Sequence, residues 1–116
     1  MVKSMDMPDL VQIDTDPAAL HEKAAEVSDL LKTLAHPIRL MLVCTLVKGE
    51  YSVSELEETL DIHQPSLSQQ LSVLREAQIV ETRRDGKQIY YRLTEEKAAK
   101  LVGALYTIFC AEEEVK

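Results

Sequence analysis

Residues 52–93 constrain the fold of this chain more than any other stretch. Residues 52–60 and 64–77 each place apolar side chains on one face of a 3.6-residue period, which predicts two short helices. The apolar positions are Val53, Leu56 and Leu60 in the first pattern and Leu67, Leu71 and Leu74 in the second. Residues 61–63 leave room only for a tight turn, and Pro65 suits the first turn of the second helix, where no N–H is needed. This arrangement predicts a helix-turn-helix, whose second helix can enter the major groove of DNA.

A β-hairpin is predicted directly after these helices. Residues 79–84 and 87–93 are rich in β-formers. Asp85-Gly86 between them is a strong hairpin signal, because both turn positions of the favoured turn need positive φ. Apolar and polar residues alternate in the second run, so one face can pack while the other meets water. The tip carries the basic residues Arg83, Arg84 and Lys87, which makes this hairpin a wing attached to the helix-turn-helix.

Two helices are predicted before this unit. Asp16 followed by Pro17 combines an N-cap residue with proline at the first helical position. The first helix should end before Pro37, because the residue that precedes a proline avoids the α region. A second helix over residues 38–47 is apolar nearly all round, so we expect it to be buried.

The remaining elements are a short strand and a last helix. Residues 51–53 are predicted to form a strand that pairs with the wing. The last helix is predicted from residue 95 to about residue 111, with Thr94 as its cap. The predicted fold class is therefore mainly α (α+β), a winged helix-turn-helix with a two-stranded wing.

The length of 116 residues favours one domain with one modest core. We predict that this domain spans residues 16–111, after a flexible arm at 1–15 and before an acidic tail at 112–116. No run is apolar for long enough to cross a bilayer and the polar start is not a signal peptide, which favours a cytoplasmic location without membrane contact. The two cysteines of a cytoplasmic protein are not presumed to form a structural disulfide.

The terminal helices predict a two-fold homodimer. The first helix carries a narrow apolar seam, which is typical of a helix that packs on another helix. The seam consists of Leu20, Ala24, Val27, Leu31 and Leu34. Residues 101–110 are apolar on every face, and the core of one chain covers only one side. A dimer formed through the N- and C-terminal helices would cover both surfaces and present two recognition helices to a palindromic duplex.

The net charge of −7 argues against DNA binding at first sight. Between residues 63 and 92, however, five basic residues face three acidic ones, a local balance of +2. Composition alone favours the simpler interpretation of an acidic protein with a few basic residues. If the chain does bind DNA, its acidic remainder would weaken non-specific binding, which depends mainly on phosphate contacts.

The chain resembles the ArsR/SmtB-type winged-helix repressors over roughly residues 20–111. The resemblance is carried by LLKTLAHPIRLMLVCTL (30–46), by SVSELEETLDIHQPSLSQQLSVLREAQIVETRRDGKQIYYRL (52–93) and by the closing helix. Within the family, the cysteines in VCTL and TIFC make the chain most similar to the biofilm-associated, sulfide-responsive repressors. The resemblance implies a transcriptional repressor that binds double-stranded operator DNA, and neither an enzyme nor a cofactor-binding protein.

The predicted DNA contacts lie on the recognition helix and at the wing tip. Glutamine can form two hydrogen bonds with adenine, serine can reach bases or phosphates, and basic residues at a wing hold phosphate or enter the minor groove. The resemblance matches Gln64, Ser68 and Gln69 to positions where the family touches DNA. The full set of predicted contacts is Gln64, Ser66, Ser68, Gln69, Arg83, Arg84 and Lys87. The alternative is a polar face and a hairpin tip that are merely solvated.

The candidate sensing residues are Cys44 and Cys110. Residues 53–61 contain no cysteine and residues 95–114 contain no histidine, so the family's two metal sites lack their ligand types. The residues alone slightly favour the interpretation that both cysteines are small buried hydrophobes. The resemblance implies instead that one thiolate attacks a persulfide or an oxidant and that the second sulfur then closes a disulfide or polysulfide bridge.

The leading prediction is therefore a repressor that responds to reactive sulfur species and controls sulfide-detoxification genes. A metal-responsive repressor that uses the two cysteines and a histidine is an alternative, as is a general thiol redox sensor. A redox enzyme with the same thiols and a protein-interaction module without a DNA role are further alternatives. No cofactor loop or acid–base pair in the sequence supports an enzyme.

Overall fold

A computed structural model describes residues 16–111 of the chain. In the described part, five α-helices surround a core that a three-stranded antiparallel sheet borders. The elements are α1 (Pro17–Leu34), α2 (Pro37–Leu46), β1 (Tyr51–Ser52), α3 (Val53–Leu60), α4 (Ser66–Glu76), β2 (Val80–Asp85), β3 (Gln88–Leu93), α5 (Glu96–Tyr106) and a π-helical turn (Thr107–Ala111). The fold is the predicted winged helix-turn-helix. The predicted arm and acidic tail lie outside the described residues.

Local capping explains where the first helices begin. The side chain of Asp16 accepts a hydrogen bond from the backbone N–H of Ala19 at 3.2 Å, as the Asp-Pro pair predicted for α1. Ser52 and Glu55 form a capping box at α3: the serine hydroxyl accepts from the Glu55 N–H at 3.1 Å. The Glu55 carboxylate in turn accepts from the Ser52 N–H at 2.8 Å.

The recognition helix α4 begins at Ser66, two residues later than predicted. Pro65 occupies the N-cap position and follows a cis peptide bond, so it does not lie within the first turn. The predicted start at Gln64 is wrong because a residue that precedes proline is kept out of the α region. Gln64 still contributes to the helix, since its side-chain oxygen accepts from the Ser68 N–H at 3.0 Å.

The core is formed by the inward leucines of the helix-turn-helix together with α2 and α5. The largest fully buried side chains are Leu42, Val43, Leu56, Leu67, Leu71, Leu74 and Val102. The prediction that α2 is buried all round is wrong for the single chain. Met41 and Cys44 of α2 and its C-cap residue Val47 are exposed, because neighbouring elements of the same chain cover only one side of this helix.

The sheet has the order β1-β3-β2, so the predicted short strand does pair with the wing. The wing pairing extends to Asp85 opposite Gln88, which leaves Gly86-Lys87 as the two-residue loop. The predicted turn at Asp85-Gly86 is therefore wrong by one residue. Only Gly86 has positive φ, at 67°, and positive φ at the first loop position alone is the pattern of a type II′ turn.

Thr94 joins the end of α4 to the start of α5 and does not cap α5 as predicted. Its hydroxyl lies 3.3 Å from the carbonyl oxygens of Gln78 and Ile79, to which it donates. The side chain of Glu95 caps α5, since it accepts from the Lys97 N–H at 3.1 Å. No helix between residues 16 and 111 has both the length and the hydrophobicity that crossing a membrane requires.

Candidate nucleic-acid interface and thiol pair

The outer face of α4 is polar and accessible. Its leucines point into the core, while Ser68 and Gln69 are exposed on the opposite side and Ser66 is half-buried. Gln64 is exposed, and although its side-chain oxygen caps α4, its amide N–H₂ donors are not used in that bond. Ser68 and Gln69 thus lie on the face of α4 opposite its buried leucines, and Gln64 lies just before the helix. An exposed polar helix face of this kind is what major-groove readout requires.

Arg39 anchors the recognition helix to the rest of the fold, a role that sequence reasoning missed. Its Nη1 donates to the side-chain oxygen of Gln70 in α4 at 2.6 Å, and its Nε donates to the carbonyl of Thr33 at 2.5 Å. One guanidinium therefore links the end of α1, the start of α2 and α4. No periodicity connects Arg39 with Gln70, because they are 31 residues apart.

Of the three basic residues at the wing tip, one pairs with an acidic side chain of residues 16–111 and two do not. Arg83 donates to both carboxylate oxygens of Glu50, at 2.9 and 2.8 Å, and its guanidinium lies 4.6 Å from the ring centroid of Tyr90. Arg84 and Lys87 are exposed, and no carboxylate within residues 16–111 lies at ion-pair distance from either. The tip therefore presents two exposed cations, Arg84 and Lys87, beside a third, Arg83, which pairs with Glu50 and lies 3.7 Å from Asp85.

The pairing of Arg83 with Glu50 keeps both groups charged. The hydrogen bond from Arg83 lowers the pKa of Glu50, and the same bond raises the pKa of Arg83. A carboxyl group with a lowered pKa loses its charge only when the pH falls below its usual range. At neutral pH this pair is therefore a stable charge-neutral unit beside a basic tip.

The two thiols lie where α2 approaches the end of α5. Cys44 and Cys110 are both exposed and free, and Cys110 belongs to the π-helical turn that extends α5. A cavity of about 370 Å³ opens beside Cys44, and we call it the thiol cavity. Its lining residues are Cys44, Thr45, Val47, Lys48, Val102, Gly103 and Tyr106.

Cys110 lies close enough to Cys44 to influence the pKa of the Cys44 thiol. Partial burial raises the pKa of Cys44, and the negative charge that Cys110 can carry raises it further. Cys44 is therefore mainly a protonated thiol at neutral pH. The structure brings the two predicted sensing residues into one neighbourhood, although the expected deep burial of Cys44 is wrong.

Metal ligands are not grouped in the described part of the chain. Within residues 16–111, no set of three or more histidine, cysteine, aspartate and glutamate side chains is arranged to hold a metal ion. His36 instead accepts from the N–H of Ile38 at 3.1 Å and caps α2, and His63 lies 3.4 Å from Asp61. These two histidines have local roles at helix ends.

The terminal helices carry the most exposed apolar surface of the described residues. On α1, Val27 and Leu31 are 49% and 48% exposed, and on the π-helical turn Ile108 and Phe109 are 63% and 69% exposed. Lys97 of α5 forms a hydrogen-bonded ion pair with Glu26 of α1, which connects the two helices. Exposed apolar faces of this kind mark interaction surfaces.

Comparison with known proteins places this architecture among bacterial regulators. The family described as "Bacterial regulatory protein, arsR family" matches residues 36–82, from the start of α2 into the wing. The biofilm growth-associated repressor of Xylella fastidiosa (strain 9a5c) is 70% identical over 94 residues, which are 81% of this chain and 82% of that protein. The crystal structure of the transcriptional repressor BigR from Xylella fastidiosa matches with a TM-score of 0.78 and 68% identity, over 83% of this chain and 98% of that one. Reduced HlyU from Vibrio cholerae N16961 matches with a TM-score of 0.75 and 32% identity, over 79% of this chain and 97% of that one.

Proposed function

Since the chain belongs to the ArsR family of bacterial regulatory proteins, we propose that it is a homodimeric repressor whose affinity for operator DNA is set by Cys44 and Cys110. The observation that carries this proposal is the combination of an accessible recognition face with two neighbouring free thiols in one small domain. The similarity to repressors supports the DNA-binding part. The protein would act in the cytoplasm, where bacterial DNA is found.

A second copy of the chain is the proposed occupant of the exposed apolar face on α1 and the end of α5. Two-fold symmetry would place two α4 helices on successive major grooves of a palindromic operator. Sedimentation analysis tests this directly: Phe109→Ser should shift the protein from dimer to monomer. Val73→Ser is the matched control, because Val73 is also an exposed apolar residue but lies on α4. A native protein that sediments as a monomer at micromolar concentration would refute the dimer.

DNA recognition would divide between α4 and the wing. We expect Ser68 and Gln69 to read base edges, while Arg84 and Lys87 hold phosphates. Selection from a random duplex library would first define the operator, and fluorescence anisotropy would then measure binding. Gln69→Ala should reduce the preference for operator over random DNA, whereas Lys100→Ala on α5 should leave it unchanged. Equal preference in the native protein and in Gln69→Ala would remove Gln69 from base readout.

The switch would be a covalent bridge between the two sulfurs. A persulfide or an oxidant would modify one thiol, and the second would close a disulfide or a polysulfide bridge. Because binding and modification are linked, the bridge lowers DNA affinity only if it forms more readily on free repressor than on bound repressor. Genes for sulfide detoxification would be the fitting targets of such a switch.

The test compares operator affinity and intact mass before and after treatment with an organic persulfide. We expect native protein to lose operator binding as a Cys44–Cys110 bridge appears in the mass spectrum, and Cys44→Ser and Cys110→Ser to keep binding. Parallel samples with zinc and with hydrogen peroxide distinguish a metal-responsive repressor and a general redox sensor. If the double serine variant still responds to persulfide, the thiol switch is wrong.

A further inference from the structure

The guanidinium of Arg39 is a half-buried cation that has no acidic partner among residues 16–111. It donates to two neutral oxygens, the backbone carbonyl of Thr33 and the side chain of Gln70. No carboxylate in the described part of the chain lies at ion-pair distance from it. The first turn of α2, to which Arg39 belongs, contains no acid either. The charge of Arg39 is therefore available to an anion from outside the chain.

The bond to Gln70 also decides which end of the Gln70 amide stays free. A guanidinium has only donors, so the group that faces Nη1 of Arg39 at 2.6 Å must be the amide oxygen. The amide N–H₂ is left over, and no hydrogen bond between described residues uses it or Nη2 of Arg39. Every fully buried side-chain nitrogen or oxygen within residues 16–111 has a hydrogen-bond partner. These two free donor groups must therefore reach solvent.

We propose that Arg39 and Gln70 form a phosphate clamp, in which Nη2 of Arg39 and the amide N–H₂ of Gln70 donate to the oxygens of one DNA phosphate. The clamp offers only donors and a positive charge, whereas a phosphodiester offers only acceptors and a negative charge. A base edge fits less well, because the Gln70 oxygen that a two-bond contact with adenine needs is already bonded to Arg39. This inference rests on the DNA binding of the proposed function and adds a contact to it.

The position of the clamp on α4 suits the wall of a groove better than its floor. One turn away from Gln70 lie the buried Leu67 and the exposed Val73, so Gln70 is on the flank of the helix. A helix about 10–12 Å across fills a major groove about 12 Å wide, and its flanks therefore meet the sugar–phosphate walls. A phosphate contact there carries no sequence information, but it fixes the register of the helix on the duplex.

Gln70→Glu separates the clamp from a purely structural bond. Glutamate keeps an oxygen that accepts from Arg39 and adds a charge that favours this bond, so the midpoint of urea unfolding should be unchanged or higher. The variant loses the N–H₂ donor and neutralises the cation. In anisotropy titrations with operator and random-sequence duplexes alike, the slope of log K against log salt should flatten by about 1.8 per dimer, about 0.9 for each lost phosphate contact. Gln78→Glu makes the same change on an exposed residue beyond α4, and this matched control should keep the native slope.

Two substitutions of Arg39 provide a second test. Arg39→Lys keeps the charge and Arg39→Gln removes it, while both lose the planar group that bonds to Thr33 and Gln70 together. We expect Arg39→Lys to keep most of the native salt slope and Arg39→Gln to flatten it by about 1.8 per dimer. Equal slopes in these two variants, or a native slope in Gln70→Glu whatever its affinity, would overturn the clamp and leave Arg39 as a structural anchor. If the native protein binds neither duplex, the proposed function itself fails.

Discussion

The paired Glu50 and Arg83 allow a quantitative test of how the wing meets DNA. Glu50→Gln keeps the size of the side chain but removes the charge that holds the Arg83 guanidinium at 2.8 and 2.9 Å. Arg83 would remain over the ring of Tyr90, at 4.6 Å from its centroid, so we expect the wing to keep its shape. Asp85 would remain 3.7 Å from the guanidinium. Without its two hydrogen bonds to Glu50, Arg83 could nevertheless turn to a DNA phosphate, and operator affinity should rise.

The size of the effect follows from counterion release. Each phosphate that a protein neutralises changes the slope of log K against log salt by about 0.9, so one new contact in each protomer of a dimer steepens the slope by about 1.8. Anisotropy titrations between about 50 and 200 mM salt measure this slope directly. The hydrogen bond from Arg83 lowers the pKa of Glu50, so the native carboxylate stays charged throughout the neutral pH range. The difference between Glu50→Gln and the native protein should therefore not depend on pH in that range.

Two controls separate a local contact from a change in net charge. Glu22→Gln removes the same charge from an exposed position on α1, so it should leave the slope unchanged. In the double variant Glu50→Gln/Arg83→Ala the gain should disappear, since the liberated cation is absent. A slope equal to that of Glu22→Gln would show that Arg83 makes no phosphate contact. Weaker binding by Glu50→Gln would show instead that the pair orients the wing, which would also refute the reasoning.

Three further predictions address the wing, the thiols and the core. Arg84→Ala should weaken binding to all sequences alike and flatten the salt slope by about 1.8 per dimer, as two lost phosphate contacts require; an altered sequence preference in anisotropy would contradict this. The rate at which iodoacetamide alkylates Cys44 should rise with pH around a midpoint above that of an ordinary thiol, because the pKa of Cys44 is raised. Cys110→Ser should lower this midpoint, since it removes a neighbouring negative charge, and mass spectrometry of samples alkylated at a series of pH values checks both expectations. Leu71→Ala should lower the free energy of unfolding in urea by about 2–5 kcal/mol, since Leu71 is 1% exposed. A smaller loss would mean that neighbouring side chains move into the space that the leucine leaves.

Local patterns were sufficient to predict the elements of this fold, but not every junction between them. The Asp16 cap and the Ser52 capping box depend on residues within one turn, so the sequence contains their signal. The hairpin loop lies one residue later than predicted, because strand pairing, and not turn preference alone, decides where the paired strands end. At the end of α4, Gln78 has a φ of 63°, a conformation that glycine would adopt more readily, and no sequence rule predicts a glutamine there.

The sequence could indicate which types of residue form the candidate site, but not most of the contacts between them. Periodicity identified the outer face of α4, yet the Glu50–Arg83 pair joins residues 33 apart, and such partners become visible only once the sheet is formed. The apolar pattern of α2 could not indicate that one side of the helix stays uncovered, because coverage depends on neighbours elsewhere in the chain. The exposure of Cys44, on which the proposed thiol switch depends, is therefore a consequence of tertiary packing.

The packing around the thiols indicates which part of the molecule would move when a bridge forms. Leu42, Val43 and Leu46 anchor α2 in a close-packed core with α4, where displacement is costly. Cys110 instead lies on an exposed π-helical turn, whose neighbours Ile108 and Phe109 are largely uncovered in the single chain. The end of α5 should therefore yield toward Cys44, while α4 keeps its position. Because that end carries the proposed dimer surface, the bridge would change how two protomers are oriented, and with it the spacing of their recognition helices, without distorting either helix.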